Sequence, residues 1–116
     1  RQIKLNNHVK YVVAAKGETY YRLAKLYNMN VGQLFKYNEV ENDDMLSPGQ
    51  VVYLQPKRRN GPVDCHTVKA GDTMYSISQQ YAIRLKILYK KNRMKPGTEP
   101  KPGDILWLKA TKKKIQ

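Results

Sequence analysis

One phrase occurs twice in this chain. KGETYYRLAKLY fills residues 16–27, and AGDTMYSISQQY fills residues 70–81, 54 positions later. The same offset aligns residues 16–54 with 70–108 without a gap. Identical pairs include Gly17/Gly71, Thr19/Thr73, Tyr27/Tyr81, Leu34/Leu88, Asn38/Asn92, Pro48/Pro102 and Gly49/Gly103. Glu18/Asp72, Leu23/Ile77, Phe35/Tyr89 and Tyr53/Trp107 keep their chemistry. A period of this kind means two copies of one supersecondary unit. Each copy must then close its own core from roughly 45–50 residues, near the lower limit for an unaided domain.

Both copies carry the same punctuation. KYVVA (10–14) and CHTV (65–68) are short runs that favour strands. Gly17 or Gly71 permits a tight turn. Thr19 or Thr73 stands where a helix N-cap is wanted, with an acidic residue before it at the positive end of the helix dipole. Tyr20, Leu23, Ala24 and Tyr27 then recur at helical spacing, as do Met74, Ile77, Ser78 and Tyr81. Val31, Leu34, Phe35 and Asn38 mark a second helix, matched by Leu85, Leu88, Tyr89 and Asn92. A loop ending in Pro-Gly leads to VVYL (51–54) or ILWL (105–108). The fold class is α+β: two βααβ units, each a two-stranded antiparallel sheet with two helices on one face. The expected layout is an arm at 1–9, units at 10–56 and 65–110, a linker at 57–64 and a basic tail at 111–116.

Composition narrows the function. Hydrophobic residues make up 41%, including nine Tyr, one Trp and one Phe, which is enough for folded cores. No apolar run approaches the ~20 residues of a membrane span. The chain opens on Arg1 without a signal peptide, and it reads as a piece of something longer. Cys65 is the single cysteine, so no intrachain disulfide is possible. His66 adjoins it and His8 is the other histidine, too few ligands for zinc; neither a metal nor a cofactor is expected. The net charge of +13 is uneven: residues 10–56 are neutral, while 65–110 carry +6 and the tail +3.

HTVKAGDTMYSISQQY, Leu88, Asn92 and KPGDILWL together resemble a LysM domain. VVAAKGETYYRLAKLY, Leu34, Asn38 and LSPGQVVYL resemble another. The resemblance implies a pair of non-catalytic modules that bind N-acetylglucosamine-containing glycan, peptidoglycan or chitin, with no membrane span and with nucleic acid disfavoured. Basic tandems of this layout are similar to those C-terminal to bacterial cell-wall hydrolases of the glucosaminidase and amidase type. That implies a cell-envelope location, periplasmic or extracellular, and a catalytic domain before Arg1. The implied groove lies between the loop after the first strand and the loop after the second helix. Carried over by position, the first unit's site is Gly17, Glu18, Thr19, Tyr20, Asn42, Asp43, Met45 and Leu46. The second unit's site is Gly71, Asp72, Thr73, Met74, Pro96, Gly97, Thr98 and Glu99. Loop backbone would meet the sugar's amide and hydroxyls, and Tyr20, Met45, Leu46 or Met74 would supply an apolar floor. Pro100 departs from the pattern, because it stands where the first unit has the apolar Leu46.

Other chemistries fare worse. Glu39 and Glu41 form an acidic pair, but a glycosidase needs two carboxylates held across a cleft. They sit in the polar stretch NEVENDD (38–44), and the second copy has Arg93 and Lys95 there, so a solvated loop fits better. No nucleophile-and-base set or phosphate loop appears. The basic run RLKILYKKNRMK (84–95) is the rival signal. Helical spacing predicts Lys86, Lys90 and Arg93 on one face, which is a solvated face, a surface for an anionic polymer or nucleic acid, or part of a structural module that packs on a parent enzyme. Asn38 and Asn92 are expected to cap a helix end or pin a loop.

Overall fold

A computed structural model describes residues 1–42 and 45–113. The chain divides into two compact units, Arg1–Lys57 and a second beginning at Arg58. The first contains β1 (Lys4–Asn6), β2 (Val9–Val13), α1 (Tyr20–Leu26), α2 (Val31–Asn38) and β3 (Val51–Tyr53). The second contains β4 (Cys65–Thr67), α3 (Met74–Tyr81), α4 (Leu85–Lys91) and β5 (Ile105–Trp107). Each follows the strand–helix–helix–strand order read from the sequence, and its outer strands pair antiparallel.

The repeated apolar positions build two separate cores. In the first unit, Val12 and Val52 face each other across β2 and β3 and pack with Leu23 and Leu34, all fully buried. In the second, Leu106 packs with Met74, Ile77, Ile83 and Leu88. Burying each such side chain contributes about 1.5–3 kcal/mol, so a unit this small depends on nearly all of them. Helix starts follow the caps: Thr19 Oγ1 accepts from Arg22 N, and Thr73 Oγ1 accepts from Ser76 N. A capping box at Asn30 and Gln33 starts α2. α4 has no side-chain cap; instead Arg84 N donates to Arg58 O.

The first unit has one strand more than its sequence pattern implies. Within the stretch expected as an arm, β1 pairs antiparallel with β2, giving a sheet of order β1-β2-β3. The two-residue turn between them, Asn7 and His8, has φ of 51° and 63°. Left-handed values at both positions match the right-handed twist of a tight hairpin. The added strand extends the sheet beyond β2, and one of its side chains reaches Tyr53 on β3. Asn6 Nδ2 donates to Tyr53 Oη at 2.9 Å, and Tyr53 stacks edge-on against Tyr11. Burial pushes the Tyr53 phenol up to about 12.

The stretch expected as a linker is tied down at both ends. Lys57 is buried, with Nζ 2.6 Å from Glu39 Oε1, inside the first unit. Arg58 N donates to Ala82 O and Gly61 N to Leu108 O, inside the second. A Cβ on Gly61 would lie 2.9 Å from the Ile83 and Leu108 side chains, so glycine is required for that close approach. Among the described residues, no helix is long and apolar enough to cross a membrane.

Candidate functional site

The groove expected from the resemblance would lie between a turn and the loop that faces it in each unit. In the first unit, Glu18 N donates to Ala15 O, closing a β-turn with Gly17 at φ 83°. In the second, Asp72 N donates to Lys69 O, with Gly71 at φ 88°. The acidic residues before α1 and α3 also have partners in their own turns. Each carboxylate folds back onto its own turn: Glu18 Oε1 accepts from Ala15 N at 2.6 Å and Asp72 Oδ2 from Lys69 N at 2.9 Å. The nearer unpaired N–H belongs to the turn, and satisfying it fixes the loop.

Each carboxylate also has a side-chain partner, and the partner differs. Glu18 pairs with the Arg1 guanidinium, whose hydrogen bond, followed by the Ala15 N–H, holds its carboxyl below the usual range. Asp72 is held low chiefly by the Lys69 N–H and then by His66. His66 sits on β4 with its ring buried, where the first unit has Val12. Its Nε2 lies 2.9 Å from Asp72 Oδ2 and its Nδ1 2.6 Å from Tyr81 Oη. With Asp72 ionised and the ring neutral, Nε2–H donates to the carboxylate and Nδ1 accepts from the Tyr81 hydroxyl. Burial pushes the Tyr81 phenol up. The sequence signal for this chain of contacts is a polar His at a core strand position, and helical and turn spacing alone did not connect it to Asp72.

The facing loops close onto these turns by different means. In the first unit, Thr19 and Met45 form an antiparallel bridge, and Leu46 N donates to Glu18 O at 2.9 Å. In the second, Met74 N donates to Glu99 Oε1 at 2.8 Å, and Tyr89 Oη donates to Thr98 O. Pro100 occupies the place of Leu46 and has no N–H to give. The cross-loop backbone bond is therefore impossible, and the Glu99 carboxylate spans the gap.

The expected site residues separate into rim and core. Gly17, Asn42 and Met45 are exposed, and Glu18 and Thr19 are half-buried. Met45 is 71% exposed, an apolar side chain standing at the loop junction. Leu46 is buried beneath it. Tyr20 and Met74 are core side chains: Tyr20 packs edge-on against Phe35, and Met74 is fully buried. Neither lies open as the floor that the sequence assigns to it. Asp43 and its neighbour Asp44 lie outside the described residues. In the second unit, Gly71, Thr73, Pro96, Gly97, Thr98 and Glu99 are exposed and Asp72 is half-buried. A turn at 95–98, with Gly97 at φ 90°, presents this rim.

Asn38 and Asn92 are buried, away from the exposed rims. Asn38 Nδ2 donates to Leu34 O and Tyr53 O, and its Oδ1 accepts from Tyr53 N. Asn92 repeats all three bonds with Leu88 and Trp107. Each amide thus stitches the end of its second helix to the final strand, a more distant partner than the cap or loop expected. Glu39 is likewise structural, held against Lys57. Among the described residues, no group of three or more His, Cys, Asp or Glu is placed to hold a metal ion.

Comparison with known proteins bears on both units. The spore cortex-lytic enzyme SleL of Bacillus cereus is similar at 28% identity over 90% of this chain, with a TM-score of 0.39. The spore cortex-lytic enzyme SleL of Bacillus megaterium QM B1551 is similar at 22% identity over 90% of this chain, with a TM-score of 0.38. This chain spans 23% of the length of each. Residues 12–55 and 66–109 each match the LysM domain family. Those two segments hold both cores and the groove-forming turns, and the chain belongs to the LysM domain family as a tandem pair.

Proposed function

We propose that the chain is a non-catalytic module that binds N-acetylglucosamine-containing glycan, with peptidoglycan as its ligand. In this reading it anchors a cell-wall hydrolase to its substrate in the cell envelope, and the hydrolase's catalytic domain precedes it in the parent protein. LysM domains are glycan-binding modules, and the similar enzymes are cortex-lytic. The observation that carries the reading is the first unit's loop junction. There, paired backbone at Thr19 and Met45 lies beside an exposed Met45 side chain. An N-acetyl sugar needs both backbone hydrogen-bonding groups and an apolar contact for its methyl group and ring face.

The two units share the work unequally. In the second unit the position of Met45 is taken by Glu99, whose carboxylate already engages Met74 N. A neutral sugar gains less there, because it must compete with a charge-assisted hydrogen bond. A tandem still raises avidity when both sites reach one polymer, by about 10²–10⁴ in favourable geometry.

Residue-resolved NMR titration with N-acetylglucosamine oligomers of increasing length, at low and high salt, tests this. Shifts at 17–20 and 42–46 that survive salt and strengthen with length are expected, with weaker shifts at 71–74 and 96–99. Met45→Ala should weaken binding roughly tenfold, the equivalent of ~1.4 kcal/mol of lost apolar contact. Silent loops at millimolar oligomer would overturn the reading.

A further inference from the structure

The second unit gathers positive charge in a place that the sugar groove does not use. The helical stripe read from the sequence is not what forms. α4 ends at Lys91, Asn92 is its C-cap, and Arg93 has φ 55°, so Arg93 leaves the helix face of Lys86 and Lys90. It turns toward the C-terminal segment instead, where Arg93 Nε donates to Lys112 O at 2.8 Å. Lys112 N donates back to Lys91 O, and Lys91 Nζ bonds Asn60 Oδ1 and Lys109 O. Three segments therefore meet: the end of α4, residues 109–112 and residues 59–60. They bring together Arg59, Lys91, Arg93, Lys109 and Lys112.

Among the described residues, no carboxylate forms an ion pair with any of the five. Three of the unit's four acidic side chains are committed elsewhere: Asp72 to Lys69 N and His66, Glu99 to Met74 N, and Asp104 to Lys101 N. The fourth, Asp64, is exposed, and its backbone O accepts from Leu108 N. Arg59 acts on Lys91 as a like charge. The Arg93 fork is oriented by its Nε bond, and among the described residues its two terminal nitrogens have no acceptor. A fixed guanidinium edge beside clustered ammoniums matches the geometry of phosphate oxygens.

We infer that this surface binds a linear phosphodiester polyanion that carries no bases, such as a polyol-phosphate polymer. Nucleic acid fits less well. Single strands are held by aromatic platforms on which bases stack, as well as by charge. The second unit has no fully exposed aromatic side chain: Tyr75, Tyr81 and Trp107 are half-buried and Tyr89 is buried. This inference stands apart from the glycan reading, because it uses neither groove.

The test uses the whole chain and three probes of equal charge number: a synthetic glycerol-phosphate oligomer, a single-stranded oligonucleotide and a polyglutamate peptide. Affinity for the glycerol-phosphate oligomer should fall with salt, at a log–log slope of about −0.7 per phosphate contacted. The double variant Arg59→Gln, Arg93→Gln should weaken it roughly tenfold and flatten the slope by about 1–2. Lys10→Gln, Lys36→Gln, exposed positions in the first unit, should change neither. Because Arg93 also ties down residue 112, Arg59→Gln alone should show a smaller loss in the same direction. Three outcomes overturn the inference: no binding of the glycerol-phosphate oligomer, equal or tighter binding of the oligonucleotide or polyglutamate, or indifference to both variants. N-acetylglucosamine titration of the same variants should be unchanged, so a failed phosphate site and a failed sugar site are told apart.

Discussion

The two units close the same loop junction with different bonds. In the first, the closing loop pairs through its backbone, by the Thr19–Met45 bridge and the Leu46 N–H to Glu18 O. In the second, Pro100 removes that N–H, and the Glu99 side chain reaches Met74 N instead. Repetition therefore preserves the shape of the junction and not its chemistry. A backbone closure leaves the side chain at its centre available, and Met45 is exposed. A side-chain closure consumes it. The units also differ behind the turn, where Glu18 takes its partner Arg1 from outside the repeat and Asp72 takes His66 from inside it.

The largest expected effect tests what the units have in common. Asn38→Ala leaves the N–H and C=O of Tyr53 without their amide partner in a buried place, and Asn92→Ala does the same at Trp107. Each should destabilise its own unit by about 2–4 kcal/mol, since orphaned buried groups cost ~1–3 kcal/mol apiece. Trp107 is the sole tryptophan, so its fluorescence follows the second unit during chemical denaturation. Asn92→Ala should shift that transition, and Asn38→Ala should appear only in amide exchange of residues 9–54. A shift of the Trp107 signal by Asn38→Ala would mean that the units unfold together.

Those two asparagines also mark how far sequence reasoning reached. Gly17, Thr19 and the apolar stripe carry local information, because a turn, a cap and a helical face each lie within a few residues. The βααβ order followed from them. Asn38 was legible as a constrained residue, but its partner Tyr53 lies 15 positions away on a strand, and spacing alone does not reach it. The added strand β1 was missed because it has no copy in the second unit to betray it. At the groove, the rim positions were legible by alignment. The burial of Tyr20 and Met74 was not, because residues just after an N-cap take either face according to the packing around them.

A smaller effect sharpens the difference at the loop junction. Glu99→Ala removes a carboxylate from the first N–H of α3 and should cost the second unit about 1 kcal/mol. The double change Glu99→Met, Pro100→Leu restores both the missing N–H and the apolar side chain. It should recover that loss and bring sugar-induced NMR shifts at 71–74 up to those at 17–20. Recovery of stability without a gain in binding would separate loop closure from recognition.

Acid should act on both turns in the same direction. Glu18 and Asp72 have folded-state carboxyls below their ordinary values, so the stabilisation each brings is complete above about pH 4.5. It is lost as pH falls through the lowered folded values. The causes differ, and so should the salt response. Glu18 is held first by the Arg1 guanidinium, an ion pair that salt screens, whereas Asp72 is held first by a backbone N–H, which salt leaves in place. Amide exchange at 15–18 below pH 4.5 should rise with added salt more than at 69–72.

Arg1→Ala should have the smallest effect, about 0.5 kcal/mol, because an ion pair near solvent contributes little. It is still the change that best isolates what the hairpin adds to the groove. Glu18 keeps its bond to Ala15 N without Arg1, so the turn should survive and the Thr19–Met45 bridge with it. Its carboxyl should rise toward the ordinary range, measurable by NMR titration of the side chain. The carboxyl of Asp72, with its partner His66 in its own unit, should not move. If sugar affinity of the first unit falls while its stability holds, the hairpin tunes the groove by setting the charge at its rim. If both are unchanged, β1 serves only to cover Tyr53, and the extra strand belongs to the core and not to the site.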